Sequence, residues 1–411
     1  MTTTVSAAEC DRIRAAFPAL ESGIAFLENA GGSQVPRQVA EHMRQYLLES
    51  YVQIGAGYAL SQQCTALVDE AHQFVQLLMN GRAGQVILGS STSALLAMLA
   101  SCYASLLKAG DEIVIAESGH EANLGPWKRL ERHGAKLRWW RVDPQSGSSP
   151  LENLEPLINE RTALVTFPHV SNLVGEIVDV QAVTDLAHRV GAKVVVDGVA
   201  YAPHRAIDCS GWNVDWYAFS LYKVYGPHMA ALYGRKDAVA ELTGPNHFFV
   251  SNDEVPYKFE LGGVNHEGCA GILGMAEYLR ELARPGETGA LTRVDIEMAF
   301  VLMTACEYPL QEKLLAYLGE KPGVRVVGPA EPGPDRVGTI SFVHESLRSQ
   351  EISAAVDPSG VAIRHGHMYA YHLCEALGLD PEDGVVRTSF VHYNTVEEIE
   401  RLIEVFEGVL D

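Results

Sequence analysis

At 411 residues and 44.7 kDa, with 47% hydrophobic and 20% charged residues, the chain is too long for one ordinary domain core and far from a disordered or disulfide-stapled composition. Its 31 Lys+Arg against 52 Asp+Glu give a formal charge of −21 with no local basic patch, so nucleic acid and anionic lipid are not expected partners. Seven cysteines (Cys10, Cys64, Cys102, Cys209, Cys269, Cys306, Cys374) follow no metal-ligand spacing, which points to no metal site and to a reducing cytoplasm; neither an apolar signal core nor a membrane-length apolar window is present.

Residues 1–25 read as an N-terminal arm. Pro36 is placed to open a helix running to about Ser50, and apolar residues recur at helical spacing from Leu67 to Met79. From residue 85 short apolar runs alternate with helical stretches: QVILG, STSALLAMLASCYASLL, EIVIAES, KLRWWRV, ALVTF, VTDLAHRVG, KVVVDG and WYAFSLYK. The alternation predicts a mainly parallel sheet with helices on its faces, because strands buried on both sides read as continuously apolar. Beyond about residue 285 come one or two long helices, then VRVVG, VGTISFVH, VAIRH and VVRTSFVHYN as strands, and a last helix near 395–410. The expected division is therefore a large domain over 26–285 and a smaller α+β domain over 286–411.

In open α/β sheets ligands bind beyond the carboxyl ends of the strands, so the polar residues there matter most. QVILG ends at Gly89 and is followed by Ser90, Ser91, Thr92 and Ser93 before a helix, an arrangement that offers an anion the helix's free N–H groups. Taken alone it fits a plain N-cap equally well. KVVVDG puts Asp197 at a buried strand end, where a carboxylate is costly unless paired, and WYAFSLYK puts Lys223 at another. Each has an ordinary reading, a cap and a solvated strand end. Together, a phosphate cradle, a carboxylate for a pyridinium nitrogen and an amine for a Schiff base are what pyridoxal 5'-phosphate requires.

At this point the chain resembles a fold-type I pyridoxal phosphate enzyme of the class V aminotransferase group, nearest the cysteine desulfurase and selenocysteine lyase branch. The resemblance rests on FLENAGGSQVP, GSSTSALLAML, ESGHEANLGPW, FPHVSNLVGEIVDV, VVVDGVAYAPH, DWYAFSLYKVYGP, FELGGVN, AIRHGHMYA and VRTSFVHYNTVEEIERL, in the family's order. It implies an α/β large domain with a mainly parallel seven-stranded sheet and a smaller α+β C-terminal domain. It further implies that Lys223 binds the cofactor and shuttles the substrate α-proton, that Asp197 pairs with the pyridinium nitrogen, and that His120 stacks on the ring and assists proton transfer. Ser91, Thr92, Ser220 and Tyr222 are implied at the phosphate and Asn172 beside the cofactor O3′ and the substrate carboxylate. Arg387 is implied as the partner of the α-carboxylate, with Arg364, Tyr369 and Asn29 as further substrate contacts. Asn265 matches a segment that reaches a neighbouring subunit's cofactor, which implies a homodimer with the site at the interface.

The chain departs from that pattern where the branch carries its persulfide-forming cysteine: the stretch reads Arg364-His365-Gly366-His367-Met368-Tyr369, and Tyr369 stands in the cysteine's place. A phenol cannot form a persulfide. Cys374 shares a helical face with Ala370, Leu373 and Leu377, which marks it as core. Ala200, Tyr222 and Gly263 stand where a glutamine, a histidine and a phosphate-binding threonine are expected. The expectation is a lyase acting on an amino acid by β-elimination of sulfur or selenium without a protein cysteine. Transamination and racemisation use the same residues, and a catalytically inactive cofactor-binding homodimer is the reading of another class.

Overall fold

The computed structural model describes residues 5–410; Met1–Thr4 of the expected arm and Asp411 lie outside the described residues. In chain order the strands are β1 (Ala25–Phe26), β2 (Gly84–Gly89), β3 (Glu112–Ala116), β4 (Lys136–Trp140), β5 (Thr162–Pro168), β6 (Lys193–Asp197), β7 (Trp216–Ser220) and β8 (Ala230–Arg235), then β9 (Val324–Val327), β10 (Thr339–His344), β11 (Val361–Ala362), β12 (Arg364–Gly366) and β13 (Val385–Ser389). The central sheet has seven strands in the order β2-β8-β7-β6-β5-β3-β4. Only β8 runs antiparallel to its neighbours, so the sheet is mainly parallel, as the apolar runs predict.

Alternate residues of each strand enter two separate cores. Ile113, Ile115, Val195, Trp216 and Ala218 face one core; Val114, Ala116, Val194, Val196, Tyr217 and Phe219 face the other. Burial on both faces explains why the runs carry no polar alternation. On one side the helices Arg37–Glu49, Ala59–Leu78 and His266–Ala283 pack together. Pro36 is the N-cap of the first of these.

The second layer is an antiparallel sheet, β12-β13-β10-β9, covered by the helix Val396–Glu407, which opens on a capping box between Thr395 and Glu398. One helix, Arg293–Glu320, joins the two layers and opens on a capping box of Thr292 with Asp295. Its first half, Ile296 to Cys306, packs into the large core, while Leu310 to Leu318 pack into the small one. Packing thus changes hands at Pro309, inside a helix, rather than in the loop near 285 where the sequence suggests a boundary. The segment after the arm also crosses over: β1 pairs in parallel with β11, and Ala25 and Leu27 belong to the small core.

Candidate active site

The carboxyl ends of β2, β5, β6 and β7 open onto a cleft lined by Ser91, Thr92, Ser93, His120, Asn172, Asp197, Ser220, Tyr222 and Lys223, with Pro168, Val170, Val199 and Ala200. Lys223 follows β7 directly. Its amine is buried, and burial together with the nearby charge of Arg387 lowers its pKa to about 8. Asp197 ends β6, its Oδ1 accepting the Val199 N–H at 3.1 Å. Burial raises its pKa to about 6, against the opposing pull of that hydrogen bond and of Lys223. An amine available as free base near neutrality can condense with an aldehyde, and the acid beside it lacks a strong partner of its own.

The hydroxyl end of the cleft is built on the helix Thr92–Tyr103. Ser91 is its N-cap, Oγ accepting the Ala94 N–H at 3.1 Å. Thr92 Oγ1 and Ser220 Oγ lie 2.7 Å apart, and Tyr222 lines the same cleft. Three side chains and a helix N-terminus thus converge where a phosphate would be held. The Tyr222 ring stacks on His228, centroids 4.9 Å apart.

His120 caps the helix Glu121–Lys128, its Nδ1 accepting the Ala122 N–H at 3.0 Å. Burial, then the cations of Lys223 and Arg387, push its pKa down to about 4, so the ring is neutral and Nε2 carries the hydrogen. The Tyr369 ring lies over the cleft mouth, 5.3 Å from the His120 ring. Its backbone is left-handed (φ +60°), as is that of Met368 (φ +50°), a costly conformation for side chains of this size. Two hydrogen bonds hold it: the Tyr369 carbonyl accepts the Glu121 N–H at 2.7 Å, and the Tyr369 N–H donates to His367 Nδ1 at 3.0 Å.

Asn172 donates to the Met368 carbonyl at 2.8 Å, and its own carbonyl accepts from Arg387 at 3.1 Å. That leaves Asn172 Oδ1 and Arg387 Nε buried without partners, a state polar groups avoid unless a ligand completes them. Arg387 is wholly enclosed, and burial lowers even its pKa to about 10. The donors fit pyridoxal phosphate and an amino-acid carboxylate: hydroxyls for a phosphate, an amine for an aldehyde, an acid for a ring nitrogen and a guanidinium fork for a carboxylate.

Of the expected site residues, Asn29, Asn265, Arg364, Tyr369 and Arg387 are not among those that line the cleft. Asn29 was expected to touch substrate, but its amide donates to Phe26 O, Ser389 O and Asn394 Oδ1 at 2.7, 3.0 and 3.0 Å, while its Oδ1 accepts from Tyr393. These bonds clasp the segment after β1 to the small domain. Asn265 caps the helix His266–Ala283 through the Gly268 N–H and is exposed on the surface. Gly263 has φ +86°, where a β-branched residue would be strained, a physical reason for its departure from threonine. Glu28 is a further charge at the site, acting on both Lys223 and Arg387. The FLENAGG stretch signals it only through Gly31, which the carboxylate overlies.

Fold and cleft together define a fold-type I enzyme that depends on pyridoxal phosphate. The sequence profile of the family described as Aminotransferase class-V matches residues 25–402, and the chain belongs to that family. It is 39% identical to the aminotransferase-like protein FGM3 of Gibberella zeae, over 97% of this chain and 98% of that one. It is 31% identical to the cysteine desulfurase-like protein ustD of Aspergillus flavus, over 95% of this chain and 88% of that one. Among solved structures it is similar to an apo cysteine desulfurase from Thermococcus onnurineus, with TM-score 0.87 and 27% identity over 100% of this chain and 99% of that one.

Proposed function

We propose that the protein acts on an amino acid and breaks a C–S or C–Se bond at its β-carbon by elimination, with no protein thiol carrying the sulfur. The observation that carries this reading is a cleft in which Lys223, Asp197 and His120 converge beside the buried Arg387, while no cysteine lines it among the described residues. Cys374 is fully buried in an apolar cluster with Met368, Leu373 and Leu377, and burial raises its thiol pKa to about 11, the opposite of an activated nucleophile. A thiolate or selenide is a good enough leaving group to depart without one.

The bound cofactor supplies an electron sink for the carbanion at Cα. Lys223 would hold the cofactor through its amine and serve as the base for the substrate α-proton, its lowered pKa keeping the amine competent near neutrality. Asp197, ionised above about pH 6, keeps the ring nitrogen protonated. His120 would lie against the ring as a neutral imidazole and assist proton transfer beside it. Ser91, Thr92, Ser220 and Tyr222 hold the phosphate, and Asn172 orients the ring edge. Arg387 fixes the α-carboxylate by a bidentate pair, which aligns the Cα–H bond. Tyr369 closes the mouth against water. Asn265 reaches a second copy's cleft in a homodimer, and the cytoplasm is the compartment that suits seven free thiols. Among the described residues no helix is long and apolar enough to cross a membrane.

The test is to mix holoenzyme with L-cysteine, cysteine sulfinate and a panel of common amino acids while following the cofactor spectrum and the products. Sulfide release with pyruvate from L-cysteine, the spectrum returning to its starting form, is the expected result; sulfite from cysteine sulfinate would come with alanine, the C–S electrons staying on the β-carbon. Accumulation of pyridoxamine phosphate, reversed by a keto acid, makes the protein a transaminase and removes the sulfur assignment.

A further inference from the structure

His72, on the helix Ala59–Leu78, has both ring nitrogens against oxygen acceptors: Nδ1 lies 2.8 Å from the Val68 carbonyl oxygen and Nε2 2.8 Å from Glu260 Oε1. A neutral imidazole carries one N–H and satisfies only one of them, so the pair of acceptors calls for an imidazolium. Burial disfavours that charge, but the hydrogen bond and the charge of Glu260, with the Val68 carbonyl and Asp69, outweigh it and raise the pKa of the ring. The charges that act on His72 are thus Glu260 and, on its own helix, Asp69. Cys269, which the charge of Glu260 also reaches from the helix His266–Ala283, stays neutral, its thiol pushed up to about 12 by burial.

Glu260 holds more than the ring. The same Oε1 accepts the Leu88 N–H at 2.8 Å, three residues before Ser91, the N-cap of the helix Thr92–Tyr103. Beyond Glu260 the chain runs through Gly262 and Gly263, both left-handed (φ +75° and +86°), to the helix cap Asn265. Glu260, Ser90, Gly263 and Asn265 line one cavity. A single carboxylate oxygen therefore ties together the helix Ala59–Leu78, the end of β2 and the glycine turn before Asn265. The Glu260 side chain is only 6% exposed, so water does not replace a lost partner.

We propose that His72 and Glu260 are positioning residues for the cofactor's phosphate, and that the proton on His72 controls how firmly the cofactor is held. With both ring nitrogens protonated, Glu260 fixes the end of β2 and with it the helix N-terminus and hydroxyls that face the phosphate. When Nε2 loses its proton, a lone pair faces the carboxylate, the tie opens, and the glycine turn and the end of β2 are released. Retention is full below the ring's ordinary titration range and is lost as pH rises through the raised value. The inference rests on the pyridoxal phosphate site and not on the reaction proposed for it.

Holoenzyme chased with excess pyridoxine 5'-phosphate, which competes for the phosphate seat but has no aldehyde to condense with Lys223, loses the absorption band of its lysine-bound cofactor at the rate the cofactor leaves. Between about pH 6 and pH 9.5 this rate should rise about tenfold more in the unaltered protein than in His72→Arg or His72→Gln, neither of which titrates in that span, as expected for a lost charge-assisted hydrogen bond. At pH 6 His72→Arg should release slowly and His72→Gln fast. Each rise is taken within one protein, so a variant that is merely less stable keeps the full rise. An equal rise in all three proteins overturns the proposal. No turnover is read, so failure of the lyase reading leaves this result standing.

Discussion

At the floor of the cleft Lys223 and Asp197 are 9% and 5% exposed and sit at the ends of strands locked into two apolar cores; at its mouth Tyr369 is 65% exposed and, with Met368, held in left-handed backbone by a few hydrogen bonds. Burial gives the floor its chemistry, because desolvation moves the pKa values of Lys223 and Asp197 toward the range where protons are exchanged at neutral pH and holds His120 as a neutral imidazole. The mouth gains no such tuning. Its residues differ in what they admit and in what they lack, a cysteine. A rigid floor shared by many reactions and an exposed rim that decides among them is the division of labour this cleft displays.

Substitutions at the floor should therefore cost far more than those behind the mouth. Lys223→Ala should abolish the visible absorption of the lysine-bound cofactor and lower turnover by more than about 10³-fold, read by spectrophotometry and product assay. Arg387→Ala should lower kcat/KM by about 10²-fold, the scale of a lost charge-assisted pair in a desolvated site, and Arg387→Lys should restore little because an ammonium cannot make the planar fork. Comparable losses at Tyr369 would break the comparison.

The floor was legible for a physical reason: Asp197 and Lys223 interrupt apolar runs where a charge is costly, and such anomalies stand out. Six central strands are likewise read from their runs, while β8 is not singled out although AALYGR is equally apolar, because it follows the Gly226-Pro227 turn with no helix between. The mouth was harder. Glu28 and Asn29 are neighbours where the chain enters a turn after β1, and only the folded chain shows that Asn29 clasps the small domain while Glu28 pairs with Arg364. The passage of the helix Arg293–Glu320 from one core to the other is equally invisible locally, since both halves carry the same helical period.

pH sharpens the comparison. The Lys223 amine is free base above about pH 8, so the rate at which apoprotein takes up pyridoxal phosphate should rise about tenfold per pH unit below 8 and level off above it. Stopped-flow absorbance checks this. A rise continuing to pH 10 would mean that burial does not lower the amine's pKa. Smallest of all, Cys374→Ala behind the mouth should leave kcat within about twofold while lowering stability by about 1 kcal/mol, a small buried side chain's share, seen as a lower Tm with unchanged turnover.

The most direct test of the central claim, catalysis without a protein thiol, is intact-mass spectrometry of the holoenzyme quenched during turnover of L-cysteine and cysteine sulfinate, with sulfide and sulfite measured in parallel. The prediction is an unmodified chain while sulfide or sulfite is released over many turnovers. A persulfide on any of the seven cysteines, formed and discharged at the rate of turnover, would contradict it.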